Sequence, residues 1–167
     1  MGDPWALPGN PLTPSAPAPG ELELPLKAKT KEITLESDFA PEVPALGADP
    51  LLLRRVLQNL LENAIKFSPD RSKVRLEVRV EDPAIRFAAY DQGPGIAADD
   101  LAHIFEIFYR GQREGDTQGF SLGLATVKRI IDAHGGRIWV DTAPGRGCTF
   151  SFTFPLEAKA PEDASRR

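Results

Sequence analysis

The sequence predicts an α+β domain, an α/β sandwich in which a mixed, mostly antiparallel sheet of about five strands carries about three helices on one face. Three observations predict it. About five segments alternate apolar and polar residues or are rich in aromatic and β-branched residues, as strands are. Two long segments repeat apolar residues at helical spacing. The strands come mostly in adjacent, hairpin-like pairs rather than singly between helices, which sets the chain apart from a doubly wound fold.

The elements follow in order. Seven of the sixteen prolines fall in residues 1–25. Proline removes the amide donor that helices and inner strands need, so residues 1–27 read as a Pro-rich linker or disordered arm. Ile33, Leu35, Ser37 and Phe39 alternate with polar neighbours and give a half-buried strand. Asp49-Pro50 opens a helix with a capping carboxylate and a proline at the first helical position. That helix ends near Phe67, where Ser68-Pro69 biases the backbone to an extended conformation. Val74, Leu76, Val78 and Val80 mark a second strand. Residues 84–90 make a third, ended by Asp91-Gln92-Gly93-Pro94-Gly95. A short helix fits residues 98–104. The polar, Gly-rich stretch 111–119 reads as a lid loop, with Phe105, Phe108 and Tyr109 anchoring its near end in the core. Residues 122–134 form a helix closed by Gly135-Gly136, with His134 at the end where a cation is favoured. Residues 137–141 and 148–155 are the last two strands, joined by a Pro-Gly turn. The folded body spans 28–155, and the charged, aperiodic residues 156–167 read as a flexible tail.

Composition narrows the function. With 167 residues, 41% apolar and 26% charged, the chain has room for one cored domain. A net charge of −4 and a pI near 5.3 argue against nucleic acid or an anionic membrane as partner. A lone cysteine, Cys148, excludes a disulfide scaffold and a cysteine-built zinc site, and two histidines leave little for a histidine metal site. No apolar run approaches the ~18 residues of a membrane span, and residues 1–20 lack the pattern of a secretory signal. The expected location is cytoplasmic, including as the soluble part of a membrane-anchored protein.

Three places can carry chemistry. Asn59, Asn63 and Lys66 lie at i, i+4 and i+7, one side of the first long helix. Asparagine is a poor interior helix former, by roughly 0.7 kcal/mol against alanine, so two on one stripe call for partners. A carboxamide oxygen is a hard, neutral ligand suited to Mg²⁺, and a lysine one turn on meets phosphate as a point charge. Phe67 is either core or a stacking surface. Asp91 ends a strand before Gly93-Pro94-Gly95-Ile96. Its carboxylate can accept from an exocyclic amine, and the glycines let a flat ring approach the backbone, although the same residues also make a plain turn. Gly119-Phe120-Ser121-Leu122-Gly123-Leu124 leads into a helix whose bare amides form an anion site. Arg110, at the edge of the lid, is placed to reach a terminal phosphate.

In this order the segments Asn59-Leu-Leu-Glu-Asn63-Ala-Ile-Lys-Phe, Asp91-Gln-Gly-Pro-Gly-Ile, Ile104-Phe-Glu-Ile-Phe-Tyr-Arg and Gly119-Phe-Ser-Leu-Gly-Leu resemble the N, G1, F and G2 boxes of the ATP-binding catalytic domain of sensor histidine kinases, in the GHKL superfamily. Ala133-His-Gly-Gly-Arg-Ile and Gly145-Arg-Gly-Cys-Thr-Phe-Ser-Phe-Thr-Phe-Pro are similar to that family's closing segments. The resemblance covers residues 30–155. It implies the Bergerat fold, shared with DNA gyrase and mismatch-repair ATPases, and ATP with Mg²⁺ as ligands. By matching position it implies Asn63 as the Mg²⁺ ligand, Asn59 and Lys66 facing the phosphates, and Phe67 beside the adenine. Asp91 would accept from the adenine amine, with Gly93 and Gly95 giving the ring room and Ile96 among the nucleotide-binding residues. Thr149 would support Asp91 through a hydrogen bond or water. Gly119, Ser121, Leu122, Gly123 and Leu124 would wrap the phosphates. Ser121 departs from the glycine of that box, adding bulk and restricting φ.

The resemblance further implies a two-component transferase whose γ-phosphate goes to a histidine on a separate dimerisation domain and, indirectly, to a response regulator. Neither His103 nor His134 has the sequence context of that receiving histidine. Hydrolysing relatives place a glutamate base where this chain has Asn59, which has no useful basicity, and Glu62 is a weaker substitute beside Asn63. The alternatives are an anti-sigma-type protein serine kinase with the same fold and a degenerate nucleotide-binding module.

Overall fold

The structure, a computed structural model, describes residues 26–44, 46, 48–107 and 121–156. In chain order it contains α1 (Leu26–Thr30), β1 (Thr34–Phe39), α2 (Pro50–Phe67), β2 (Lys73–Glu81), β3 (Ala84–Tyr90), α3 (Ala98–Leu101), α4 (Ser121–Ala133), β4 (Arg137–Thr142) and β5 (Cys148–Pro155). The strands form one sheet in the order β1-β2-β3-β5-β4. β1 runs parallel to β2, because α2 carries the chain back between them. The other three pairings are antiparallel. The mixed, mostly antiparallel sheet predicted from sequence is therefore present, with one βαβ unit at its edge.

Alternation divides the sheet into two faces. Leu76 pairs with Ala89, and Phe87 with Phe152, which in turn lies opposite Ile138. Of these, Ala89, Phe87, Phe152 and Ile138 build the main core with Val56, Leu60, Leu124 and Ile131. Phe87 stacks on Phe152 at 4.7 Å, and Phe154 meets both rings edge-on. Burying each such side chain contributes roughly 1.5–3 kcal/mol. A second cluster joins Ala28 and Ile33 to Leu61, Ala64 and Ile65 of α2 and to Val74 and Leu76. The opposite face of the sheet carries Arg75, Glu77, Arg79, Arg86, Tyr90, Trp139, Thr149 and Ser151.

Local chemistry sets the helix ends. The Asp49 carboxylate accepts from the Leu51 amide at 2.9 Å, and Pro50 takes the first turn of α2. At the other end both the amide and the hydroxyl of Ser68 donate to Ala64 O, which stops the helix. His134 Nδ1 donates to Ile130 O at 2.7 Å and so caps α4.

Two elements differ from the sequence reading. α1 begins within the stretch read as linker, because Ala28 anchors five residues onto α2 once the prolines have ended. α3 stops at Leu101 instead of continuing to 104. Beyond it the amides of His103 and Glu106 bond carbonyls three residues back, and these tight turns drive Ile104 into the core. Phe105 is half-buried against that core. Phe108, Tyr109, the lid stretch 111–119 and the tail from 157 lie outside the described residues. No helix among the described residues is long and apolar enough to cross a membrane.

Candidate functional site

The side of α2 turned away from the core bears Asn59, Asn63 and Lys66, followed by Phe67, all half-buried. From Asn59 to Phe67 the helix rises roughly 12 Å at 1.5 Å per residue. Near the Asn59 end, α4 comes close. A Cβ added at Gly123 would lie 3.4 Å from Asn59 Oδ1. Near the Phe67 end, the loop after β3 is pressed against the helix. A Cβ at Gly93 would lie 2.9 Å from both Phe67 O and Asp91 Oδ1, so only glycine fits there. Lys66 Nζ sits 5.2 Å from the centroid of the Phe67 ring. α2 thus forms one wall of a groove, with the start of α4 at one end and Asp91 at the other.

In the middle of the wall, Asn63 Nδ2 is fully buried and has no hydrogen-bond partner among the described residues. Buried polar groups are nearly always paired, so this amide is a group shaped for something the described residues do not supply.

Asp91 continues the parity of Ile85, Phe87 and Ala89 and therefore points to the helix side of the sheet. Its Oδ1 accepts from the amides of Gly93 at 2.8 Å and Cys148 at 3.2 Å. Both bonds fall on one oxygen, and Oδ2 takes no partner among the described residues. Burial pushes the Asp91 carboxyl above the ordinary carboxylate value, against the pull of the two amides.

The turn between β4 and β5 clamps this loop. Thr142 Oγ1 accepts from the Ile96 amide at 3.0 Å and donates to Gly147 O at 2.9 Å, with Cys148 Sγ 3.2 Å away. The Gly145 amide donates to Pro94 O at 2.8 Å. Gly95 and Gly147 both have positive φ, +77° and +73°, and a Cβ would meet Ala143 O at 2.2 Å and Asp91 O at 2.1 Å respectively.

The structure thus gathers Asn59, Asn63, Lys66, Phe67, Asp91, Gly93 and Gly123 along one groove. Gly95 packs against the β4–β5 turn. Ile96 and Leu124 are buried in the main core. Thr149 lies on the other face of the sheet, opposite Tyr90, and the group that holds Asp91 is the Cys148 amide. Ser121 and Leu122 form the first turn of α4, a right-handed position that a serine adopts without strain. Arg110 and Gly119 lie outside the described residues. Glu62 accepts from Gln58 Nε2 one turn back. Sequence reasoning passed over Thr142, Gly147 and Cys148. One signal was available, since Cys148 shares the even parity of Phe150, Phe152 and Phe154.

Comparison with known proteins agrees with this geometry. Residues 48–158 match the family described as histidine kinase-, DNA gyrase B-, and HSP90-like ATPase. The adaptive-response sensory kinase SasA of Nostoc sp. strain PCC 7120 is 39% identical over 135 residues, 80% of this chain and 34% of that protein. SasA of Synechococcus elongatus is 38% identical over 77% of this chain and 33% of its own. The chain spans about a third of the length of the curated relatives it matches. Among solved structures, full-length ShkA in complex with AMPPNP superposes with a TM-score of 0.68 at 36% identity, covering 81% of this chain and 28% of that one. The mycobacterial sensor histidine kinase MprB gives 0.69 at 30% identity, covering 79% and 90%. The chain belongs to the histidine kinase-, DNA gyrase B- and HSP90-like ATPase family, as a catalytic domain of the histidine kinase branch.

Proposed function

We propose that this domain binds Mg²⁺-ATP along α2 and donates the γ-phosphate to a histidine on a dimerisation domain outside the chain, from which a response regulator is charged in turn. The observation that carries the reading is the buried amide of Asn63, without a partner among the described residues and set between an acid at one end of the groove and the start of a helix at the other. A carboxamide can turn its oxygen into the place of its nitrogen, and a neutral oxygen of this kind fits Mg²⁺, which takes few protein ligands. When bound, that ion neutralises charge on the phosphates.

The remaining roles belong to the chain's own residues. Asp91 Oδ2 accepts from the purine amine while Oδ1 stays tied to the backbone. Gly93 leaves room for the ring beside Phe67. Asn59, Lys66 and the amides that open α4 face the phosphates, and Arg110 with residues 119–124 completes that end. In the transfer, an imidazole nitrogen bonds to Pγ as the bond from Pγ to the bridging oxygen breaks, and ADP leaves. The chain's own histidines are committed locally, His103 to Glu106 at 2.8 Å and His134 to Ile130 O and the Phe154 edge. This supports an acceptor outside the chain.

Calorimetric titration with a non-hydrolysable ATP analogue, with and without Mg²⁺, tests the reading. Mg²⁺ should tighten binding to the wild type and have no effect on Asn63→Ala. Affinity indifferent to both would contradict it. Transfer to an added histidine-bearing dimerisation domain should give an acid-labile product, whereas an acid-stable one would point to a serine kinase.

A further inference from the structure

We propose that Lys31 is a positioning residue for the nucleotide groove, tying the segment before β1 to the end of α2 that carries Lys66 and Phe67. The inference rests on the nucleotide reading above and adds a residue outside every sequence box.

Lys31 lies in the turn between α1 and β1, half-buried. Its ammonium donates to Ile65 O at 3.2 Å, Lys66 O at 2.8 Å and Ser68 O at 2.9 Å. An ammonium has three donors, and all three are used on carbonyls at one helix end. Those carbonyls are left over where a helix stops, and the helix dipole makes that end negative. The turn that presents the lysine is itself fixed. The Ile33 amide bonds Ala28 O, the Arg71 amide bonds Lys31 O, and Ala28 and Ile33 are buried against Leu61, Ala64 and Ile65.

Between the Lys66 and Ser68 carbonyls in the chain stands that of Phe67, the surface against which Gly93 packs. Gly93 in turn donates to Asp91. A continuous set of contacts therefore runs from α1 through Lys31 to the α2 terminus and on to Asp91. If that end of α2 shifts, Lys66, Phe67 and Asp91 shift with it. Linkage makes the coupling reciprocal: what the lysine does for the nucleotide, the nucleotide does for the segment holding the lysine.

Lys31→Met keeps the aliphatic stem and removes the charge and donors. Calorimetry should show nucleotide affinity reduced about tenfold, within the usual range of such couplings, with the fold intact by circular dichroism. Hydrogen exchange supplies the second readout. In the wild type, saturating ATP analogue should slow exchange of the Ile33 amide several-fold, and in Lys31→Met that slowing should vanish. A lysine that only stabilised the fold would lower Tm and leave both readouts unchanged. Wild-type binding with an unaltered Met variant, or wild-type binding without slowing at Ile33, would overturn the positioning role alone. A wild type that binds no nucleotide would overturn the function reading, and this inference with it. The wild-type exchange measurement stands even if the variant fails to fold.

Discussion

At Asp91 one carboxyl answers two demands under the proposed function, since Oδ1 fastens a loop and Oδ2 would be offered to a ligand. Burial makes it hold its proton more tightly in the folded chain than in the unfolded one. Its contribution to stability is therefore complete below the ordinary value of 3.8 and is lost as pH rises through the raised folded value. Above that, the charge costs stability. Asp91→Asn keeps an oxygen for the two amides and removes the charge, so thermal unfolding at pH 7 should show a variant at least as stable as the wild type. The same change turns N–H donors toward the purine amine, and nucleotide affinity should fall about 10- to 100-fold. Wild-type affinity should also decline as pH is lowered from 7 toward the raised value, and a flat profile would contradict the assignment. Thr142→Val tests the clamp. It leaves the Ile96 amide without its acceptor and should cost roughly 1–3 kcal/mol in chemical denaturation. At this scale the sequence was informative about residue type and weak on neighbours. Asp91 stood out by its glycines, and Gly93 is one partner, but the other comes from β5, 57 positions on for the Cys148 amide, and only strand register brings the two together. Thr149 illustrates the limit. Its hydroxyl suits the supporting role, yet parity puts it on the wrong face.

Among the elements, α2 was the most legible, because cap, proline, apolar stripe and the Ser-Pro stop all agree. β3 and β5 were legible from residues 84–90 and from alternating phenylalanines. α1 was not, since five residues after a proline-rich stretch carry too little periodicity, and its existence depends on docking to α2. The parallel pairing of β1 with β2 was also hidden, because nothing local in either strand records which neighbour it meets. The loop after β3 reads as a turn by composition, and its tight fit against the β4–β5 turn is a tertiary fact. Gly95→Ala probes that fit. A methyl group at positive φ, aimed at the Ala143 carbonyl, should cost more than about 2 kcal/mol. Wild-type stability in denaturant titration would contradict the packing of the two loops.

The whole molecule separates its tasks between the two faces of one sheet. The helix face holds the core and the groove. The other face is tied by ion pairs, with Arg79 bonded across strands to Asp38 and along β2 to Glu77, and Arg86 bonded across strands to Glu77 and Glu81. Glu77 also accepts from Tyr90, although it is almost fully buried. Glu77→Ala leaves two guanidinium groups short of a partner and should cost roughly 1–3 kcal/mol, with nucleotide affinity unchanged by calorimetry. A parallel loss of affinity would show that the faces are not independent. On the helix face, under the proposed function, α2, the Asp91 loop and the start of α4 converge on one nucleoside triphosphate. A crystal structure of the chain with a non-hydrolysable ATP analogue and Mg²⁺ tests that convergence most directly. The purine amine should lie at Asp91 Oδ2 and the metal at Asn63. A purine bound away from Asp91, or a metal held without Asn63, would contradict it.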